Sequence, residues 1–405
     1  MPIDPCMDYL SIRDAEPVRR DDDLGVWIVT GQRQVTELLR HPALSSAWPE
    51  RGTTRLHHER SGTTDVMRTA DIVRRWFMFN DAPRHQRLRG LIAPLFSASR
   101  VAALQPFVEE SVNDLLDSVT EQIDVMSELA VPLASRVVCR VIGLPQEVAP
   151  RIANWASDIA ALLVADYLPD VVRRGTLALE EIEKAVSAAQ STQAGSGGTA
   201  LEILGEAHQE GRIEEQDVAA TASLLVFAGF DTTSSFVGKA VRALMHSGQW
   251  DMVTPERIPT LVDELLRFDT SVQQVARVAA EEVEVEGHRI QPGDLVLLML
   301  GAANRDPAAL ENPDVLDVDR RNGRHLAFGY GAHYCLGSGL ARLEVAAALN
   351  GLIRRWSRVE LAEPPVLRPH HGVTVMEHLR LNIGTRTSAA SGAVSRPSEP
   401  SWPSE

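Results

Sequence analysis

Cysteine is scarce: Cys6, Cys139 and Cys335 are the only three in 405 residues, and no two stand at CxxC spacing. That excludes a disulfide framework and a cysteine-rich zinc module, and it suits a reducing compartment. Positive charge is in deficit, with 40 Lys+Arg against 55 Asp+Glu and a formal net charge of −15, so broad binding to a nucleic-acid backbone is disfavoured. No uncharged apolar run reaches the ~18 residues of a membrane span. The opening MPIDPCMDYLSIRDAEPVRRDDD lacks the apolar stretch of a signal peptide. HExxH, GxSxG and GxxxxGK[ST] are missing as well. These absences lead us to expect a soluble, cytoplasmic monomer with neither nucleic acid nor membrane as a partner.

What is present is enough to build a large core, since 44% of residues are apolar. Helical patterns run over Gln32–Leu39, through most of Pro83–Glu183, and over Pro255–Phe268 and Leu336–Trp356. The clearest is Glu214–His246. Glu214, Glu215 and Asp217 suit the positive end of its dipole, and at ~1.5 Å per residue it is about 50 Å long. Strand signals fall at Val26–Thr30 and in short pieces over 272–300, with a turn at Gln291-Pro292-Gly293-Asp294. Residues 45–75 show no steady period and read as a long surface loop, while 191–199 read as a Ser/Gly loop. The segment 385–405 is a Ser/Pro-rich tail with little to bury and is expected to be disordered. The fold class is mainly α with small β-sheets.

The most informative segment is Phe328-Gly329-Tyr330-Gly331-Ala332-His333-Tyr334-Cys335-Leu336-Gly337, which runs into a helix. A cysteine at the junction of a glycine-rich loop and a helix N-terminus faces backbone N–H groups and a dipole that favour the thiolate. The glycines allow a flat ligand to approach closely. A lone thiolate fits one axial metal bond better than a tetrahedral cage. Two other readings stay open on this segment alone: a nucleophile served by His333, and a buried structural cysteine. A dinucleotide-binding GxGxxG is excluded, because Tyr334 takes its third glycine position.

Phe328, Gly331, Cys335, Gly337, Leu340, Ala341 and Arg342 together resemble the haem-binding loop of the cytochrome P-450 family, FxxGxxxCxGxxLAR. The resemblance extends over about residues 8–384, implying one cytochrome P-450 domain (1–384) with haem between a long distal helix and the cysteine loop. It implies haem b, with Cys335 as proximal iron ligand and Phe328 packed beside the sulfur. The stretch before the Val26 strand is shorter than in many members, and the tail has no counterpart.

Three other segments match in order. Ala228-Gly229-Phe230-Asp231-Thr232-Thr233 is similar to the family's AGxDTT stretch. Small residues there open a gap, and Thr232 can bond back to a carbonyl one turn earlier; the resemblance makes Asp231 and Thr232 the proton-delivering pair. Glu264-Leu265-Leu266-Arg267 matches ExxR, implying a buried network that Arg320 joins and that shapes the cysteine loop. His85 and Arg89, four apart on one helix face after Pro83, match the HxxxR propionate-binding helix. Arg277, His325 and His333 correspond to further propionate positions. His57, His58, His370 and His371 read as surface or structural residues.

The implied activity is a monooxygenase drawing electrons from NAD(P)H through an external ferredoxin and reductase, since the chain carries no flavin or nicotinamide motif. Arg84, Arg87, Arg100 and Arg342 are the candidates for a docking patch. The resemblance places the substrate among residues 53–72, Leu224, Phe227, Ala228, Gln273 or Gln274, Val275, Ala276 and the turn at Val375–Met376. That lining suits a medium-sized, partly polar organic molecule, free or bound to a carrier protein, of the kind tailored in bacterial secondary metabolism. Oxidative coupling without oxygen insertion, and a non-catalytic haem sensor, are the alternatives.

Overall fold

The computed structural model describes residue 13 and residues 16–47, 64–164, 168–192, 198–321, 324–356, 358–370 and 373–384. Its helices are α1 (Gln32–Leu38), α2 (Thr64–Arg75), α3 (Arg84–Ile92), α4 (Ala98–Asp117), α5 (Val131–Ile142), α6 (Ala149–Val164), α7 (Pro169–Thr192), α8 (Ala200–Gln209), α9 (Glu215–His246), α10 (Ile258–Phe268) and α11 (Ser338–Arg355), besides single turns. The strands are β1 (Val18–Asp21), β2 (Val26–Val29), β3 (Leu44–Ser45), β4 (Gln122–Asp124), β5 (Val275–Ala279), β6 (Val283–Val285), β7 (His288–Ile290), β8 (Leu295–Leu298), β9 (Val359–Leu361), β10 (Val366–His370), β11 (Val373–His378) and β12 (Arg380–Ile383). The tail from residue 385, residues 48–63 and most of the 191–199 loop lie outside the described residues.

The long helix α9 organises the molecule. It opens with a reciprocal capping box between Glu214 and Asp217, which satisfies N–H groups that a helix start leaves unpaired. Along its length it buries apolar side chains on more than one side. Leu224 and Phe230 join a core with α3, α5, α6, α7 and α8, while Val237, Val241 and Leu244 join another with α4, α10 and α11. A helix apolar over so much of its circumference must run through the interior.

The five-stranded sheet, in the order β1-β2-β8-β5-β3, pairs β2 parallel to β8 and β5 antiparallel to it. Val29, Val296 and Leu298 are fully buried on it. β5 thereby receives a fixed register, which holds Arg277 opposite Val296. A three-stranded sheet (β4-β12-β9) and two hairpins complete the strands among the described residues.

One expectation is corrected. Residues 64–75, read as loop, form α2. Much of what ties its buried face down is polar: Thr69 pairs its hydroxyl with that of Thr176 on α7 at 2.8 Å, beside buried Ala70 and Val73. A hydroxyl such as that of Thr69 at a core-facing position hides the apolar period on which a sequence reading relies. Among the described residues no single helix is long and apolar enough to cross a membrane.

Candidate active site

The cysteine loop is a tight main-chain structure. Gly329 and Gly331 take φ of +71° and +77°, values that glycine adopts without steric cost. A side chain at Gly331 would in addition collide with Arg40, since an added Cβ would lie 2.9 Å from its Cγ. With those turns made, Cys335 N–H donates to the Phe328 carbonyl at 2.9 Å and Tyr334 N–H to the Gly331 carbonyl at 3.0 Å. Cys335 ends up half-buried just ahead of α11, within reach of the Gly337 N–H.

The electrostatics at the sulfur differ from the sequence expectation. Burial pushes the Cys335 thiol above its ordinary value; the Gly337 N–H and the Arg89 and Arg342 guanidinium groups pull the other way without cancelling it. The helix terminus alone therefore does not hold a thiolate here. A metal cation held by Cys335 would favour the thiolate there.

Behind the loop lies the ExxR network. Arg267, about 1% exposed, forms a fork with Glu264 at 2.7 and 2.9 Å and donates to the carbonyls of Asn304, Pro313 and Val315. Glu264 also accepts from Arg320 at 3.2 Å and from the Asp317 N–H. Asn304 passes the order on, because its side-chain carbonyl accepts the Leu326 N–H at 2.6 Å at the start of the cysteine loop. The network touches the loop's base and not its open side, as the resemblance implies.

Facing the loop's histidine are another imidazole and two arginines. The imidazoles of His85 and His333 stack at 4.0 Å between centroids. Arg89 donates to the Tyr334 carbonyl at 2.6 Å, and Arg277 to the Ala276 carbonyl at 2.8 Å. His85 is buried, and its Nε2 has no hydrogen-bond partner. Burial, then the neighbouring Arg89, lowers the His85 pKa; burial, His85 and Arg277 push His333 down to about 3. Burial also brings Arg277 down to about 10. Asp81 is the one carboxylate that works against this trend on both histidines, and it is engaged by the Ser45 hydroxyl and the Ser46 N–H. A buried cluster of this sign with an orphaned imidazole nitrogen suits a dianion such as the two propionates of haem.

His325 is not part of that cluster. Its Nε2 faces Asp263 at 3.2 Å and its Nδ1 accepts the Ala327 N–H at 3.2 Å, so both ring nitrogens are engaged on the α10 side of the loop. The structure thus places the residue matched to a propionate position beside Asp263, apart from the His85–His333 stack.

On α9, Thr232 Oγ1 donates to the Ala228 carbonyl at 3.0 Å, the back-bond expected of it. Ala228 is exposed and Gly229, Asp231 and Thr232 are half-buried, although most of α9 on either side is buried. An added Cβ at Gly229 would sit 3.2 Å from Val138 Cγ2, a tight contact that would require the Val138 side chain on α5 to give by a few tenths of an ångström. The gap in burial at Ala228 and Gly229 and the part-exposed Cys335–Gly337 stretch are the surfaces that a flat macrocycle would use.

Of the expected substrate wall, Phe227 and Val275 are half-buried, as are Gln274, Ala276 and Val375. Leu224 and Met376 are each 2% exposed within the core, Met376 lying against Gly238 of α9. Gln273 is equally buried and turns its amide back to the Thr270 carbonyl. These three stand behind the wall. Residues 53–63 of the expected lining lie outside the described residues. The reading missed Trp76, which is fully buried, stacks on Phe227 at 5.2 Å and donates its indole N–H to Ser223. The aromatic run Trp76-Phe77-Met78-Phe79 was the available signal.

Two of the proposed docking arginines are already paired: Arg84 with Asp217 at 2.7 Å and Arg342 with Asp263 at 2.7 Å. Arg87 and Arg100 remain exposed.

A cysteine loop backed by the Glu264–Arg267 fork, with a cationic rim and a notched distal helix, defines a haem-thiolate protein. Residues 258–379 match the family model for cytochrome P450. The chain is 31% identical to the biotin biosynthesis cytochrome P450 of Bacillus subtilis (strain 168), over 92% of this chain and 94% of that protein. It is 32% identical to the 6-deoxyerythronolide B hydroxylase of Saccharopolyspora erythraea, over 87% of this chain and 89% of that one. The crystal structure of P450BioI in complex with a hexadec-9Z-enoic acid ligated acyl carrier protein superposes with a TM-score of 0.84 at 30% identity, covering 94% of this chain and 99% of that one. The chain belongs to the cytochrome P450 family. It is a monooxygenase with haem b as cofactor and electrons supplied from NAD(P)H by way of ferredoxin and its reductase.

Proposed function

We propose that this enzyme hydroxylates a medium-sized, largely apolar organic molecule in secondary metabolism. The observation that carries the proposal is the Thr232 back-bond beside half-buried Asp231, together with half-buried Phe227, Val275, Ala276 and Val375 at the expected substrate wall. Bound haem supplies the oxidising chemistry, in which two electrons and two protons convert one oxygen atom of dioxygen to water while the other goes to substrate. Cys335 would hold the iron, and His85, His333, Arg89 and Arg277 would hold the propionates. Thr232 offers a hydroxyl that can leave the Ala228 carbonyl to donate toward the notch, and Asp231 connects that hydroxyl to solvent protons.

The wall determines what enters. Phe227 is fixed face-on by Trp76, so it presents a rigid apolar surface beside the notch. Among the described residues of the wall, Gln274 is the polar side chain left to orient a substrate, because Gln273 is turned away. The carrier-protein complex of the P450BioI neighbour makes a tethered acyl chain one class to screen alongside free macrolide-like compounds.

The test has two stages. Compounds are screened for a shift of the ferric Soret band, and hits are turned over with a ferredoxin, its reductase, NADPH and isotopically heavy dioxygen. The proposal expects a product carrying one heavy oxygen atom. A product that has lost hydrogen but gained no label would replace hydroxylation with oxidative coupling, and no turnover of any binding compound would favour a sensor.

A further inference from the structure

Asp263 and Arg342 form an ion pair that haem binding leaves without a task. Asp263 stands on α10 immediately before Glu264 and accepts from two residues at once: Arg342 Nε at 2.7 Å and His325 Nε2 at 3.2 Å. Arg342, one turn into α11, also donates toward the Ser338 carbonyl at 3.4 Å. Held there, its guanidinium carbon lies 4.7 Å from the centroid of the Phe328 ring. His325 and Tyr334 flank the same ring at 5.8 and 6.3 Å. The Phe328 carbonyl in turn accepts the Cys335 N–H at 2.9 Å. The pair is therefore fastened to the residue that anchors the cysteine.

The arginine side chain is 16% exposed, so water and salt screen its charge poorly. A guanidinium over an aromatic face is attracted to the ring and polarises it. The same positive charge reaches the Cys335 sulfur, where it favours the anion. When the ferric haem-thiolate unit takes one electron from the ferredoxin, it becomes more negative by one charge. A fixed cation nearby stabilises the reduced form more than the oxidised one. The charge of Asp263 opposes this directly, but its position is what keeps the arginine over the ring.

We propose that Arg342, positioned over Phe328 by Asp263, is a cation that limits electron donation from the Cys335 sulfur and so raises the reduction potential of the bound haem. Both act through Phe328 and the main chain that anchors Cys335, so both are positioning residues.

The test is a redox titration of the haem-loaded full chain, with the ferrous carbon monoxide spectrum recorded on each variant. Arg342→Gln is expected to keep the thiolate-type band and to shift the midpoint potential to a more negative value. Arg342→Lys, which keeps the charge without the planar face, should shift it less. Asp263→Asn decides by sign. If it releases the arginine, the potential moves in the same negative direction, and the double variant moves no further than Arg342→Gln alone. A positive shift in Asp263→Asn, the sign of simple anion removal, overturns the positioning role. An unchanged potential in Arg342→Gln with the thiolate band intact overturns the proposal outright. Should Arg342→Gln fail to take up haem, Asp263→Asn, which retains the arginine, still gives the deciding sign. Loss of the thiolate-type band in the unmodified protein is a different result, because it would remove the haem-thiolate assignment on which the inference rests.

Discussion

His85 on α3 and His333 in the cysteine loop stack ring on ring at 4.0 Å, and among the described residues neither has a carboxylate hydrogen-bonded to it. Each imidazole is held below its ordinary pKa by burial and by the arginines beside it. Two cationic-capable rings pressed together in this way are stabilised by an anion between or beside them. His85→Phe keeps the stack and removes the orphaned nitrogen. We predict that haem dissociates about 10- to 100-fold faster from this variant, the value of one charge-assisted hydrogen bond of ~1.5–3 kcal/mol. Transfer of haem to excess apomyoglobin, followed at the Soret band, measures it; an unchanged rate would remove His85 from the propionate site.

The Glu264–Arg267 fork is buried on both sides, with side chains 2% and 1% exposed. Glu264→Gln leaves Arg267 as an unpaired buried charge, a defect that typically costs about 3–5 kcal/mol. The expected outcome is a lower denaturation midpoint and poor haem incorporation, both read from one chemical denaturation series on freshly loaded protein. The cost falls on folding of the loop through Asn304, so residual loaded protein should bind substrate normally.

Lys239 and Asp269 form a second buried pair at 3.1 Å, which Arg242 joins at 2.7 Å. The two cations hold the Asp269 carboxyl at about 2, below the ordinary 3.8. Because the folded-state value is depressed, the stabilisation is present above pH 3.8 and is lost as pH falls through about 2. Lys239→Met should reduce that acid-dependent part and lower stability at neutral pH by about 3 kcal/mol. Urea midpoints measured from pH 6 downward distinguish the two: the gap between the variant and the parent should narrow toward about pH 2.

Thr232→Ala deletes the hydroxyl that bonds to the Ala228 carbonyl at 3.0 Å. With the proton route interrupted, NADPH consumption should continue while product per NADPH falls by up to about 100-fold, the lower end of what general acid catalysis supplies. Hydrogen peroxide should account for the difference. Thr232→Ser, which keeps the hydroxyl, should restore coupling. Equal product yield from the Ala and parent proteins would contradict the assigned role.

Much of this arrangement was legible before any coordinates. The long helix Glu215–His246, the β-region over 275–298 and the helix after Cys335 follow from apolar periodicity and turn chemistry, which are local properties. The Glu264–Arg267–Arg320 network and the Thr232 back-bond were foreseen because fixed spacing within one helix, or a recurrent motif, dictates them. What escaped detection is non-local. Helix α2 buries hydroxyls as well as methyls, so its period is masked. Gln273 was assigned to the substrate side from its place after Arg267, but α10 ends in a turn that sends its amide back to Thr270. His325 was placed with the propionates, and the carboxylate that claims it, Asp263, lies far away in sequence. A side chain's partner across the fold is what periodicity cannot show.

The central claim is that Cys335 bonds the iron, and the spectrum of the dithionite-reduced, carbon monoxide-treated protein tests it most directly. The account predicts a Soret band far to the red of that of a histidine-ligated haem in the parent protein, and its disappearance in Cys335→Ser. A histidine-type band in the parent, or an unaltered red band in the serine variant, would contradict it.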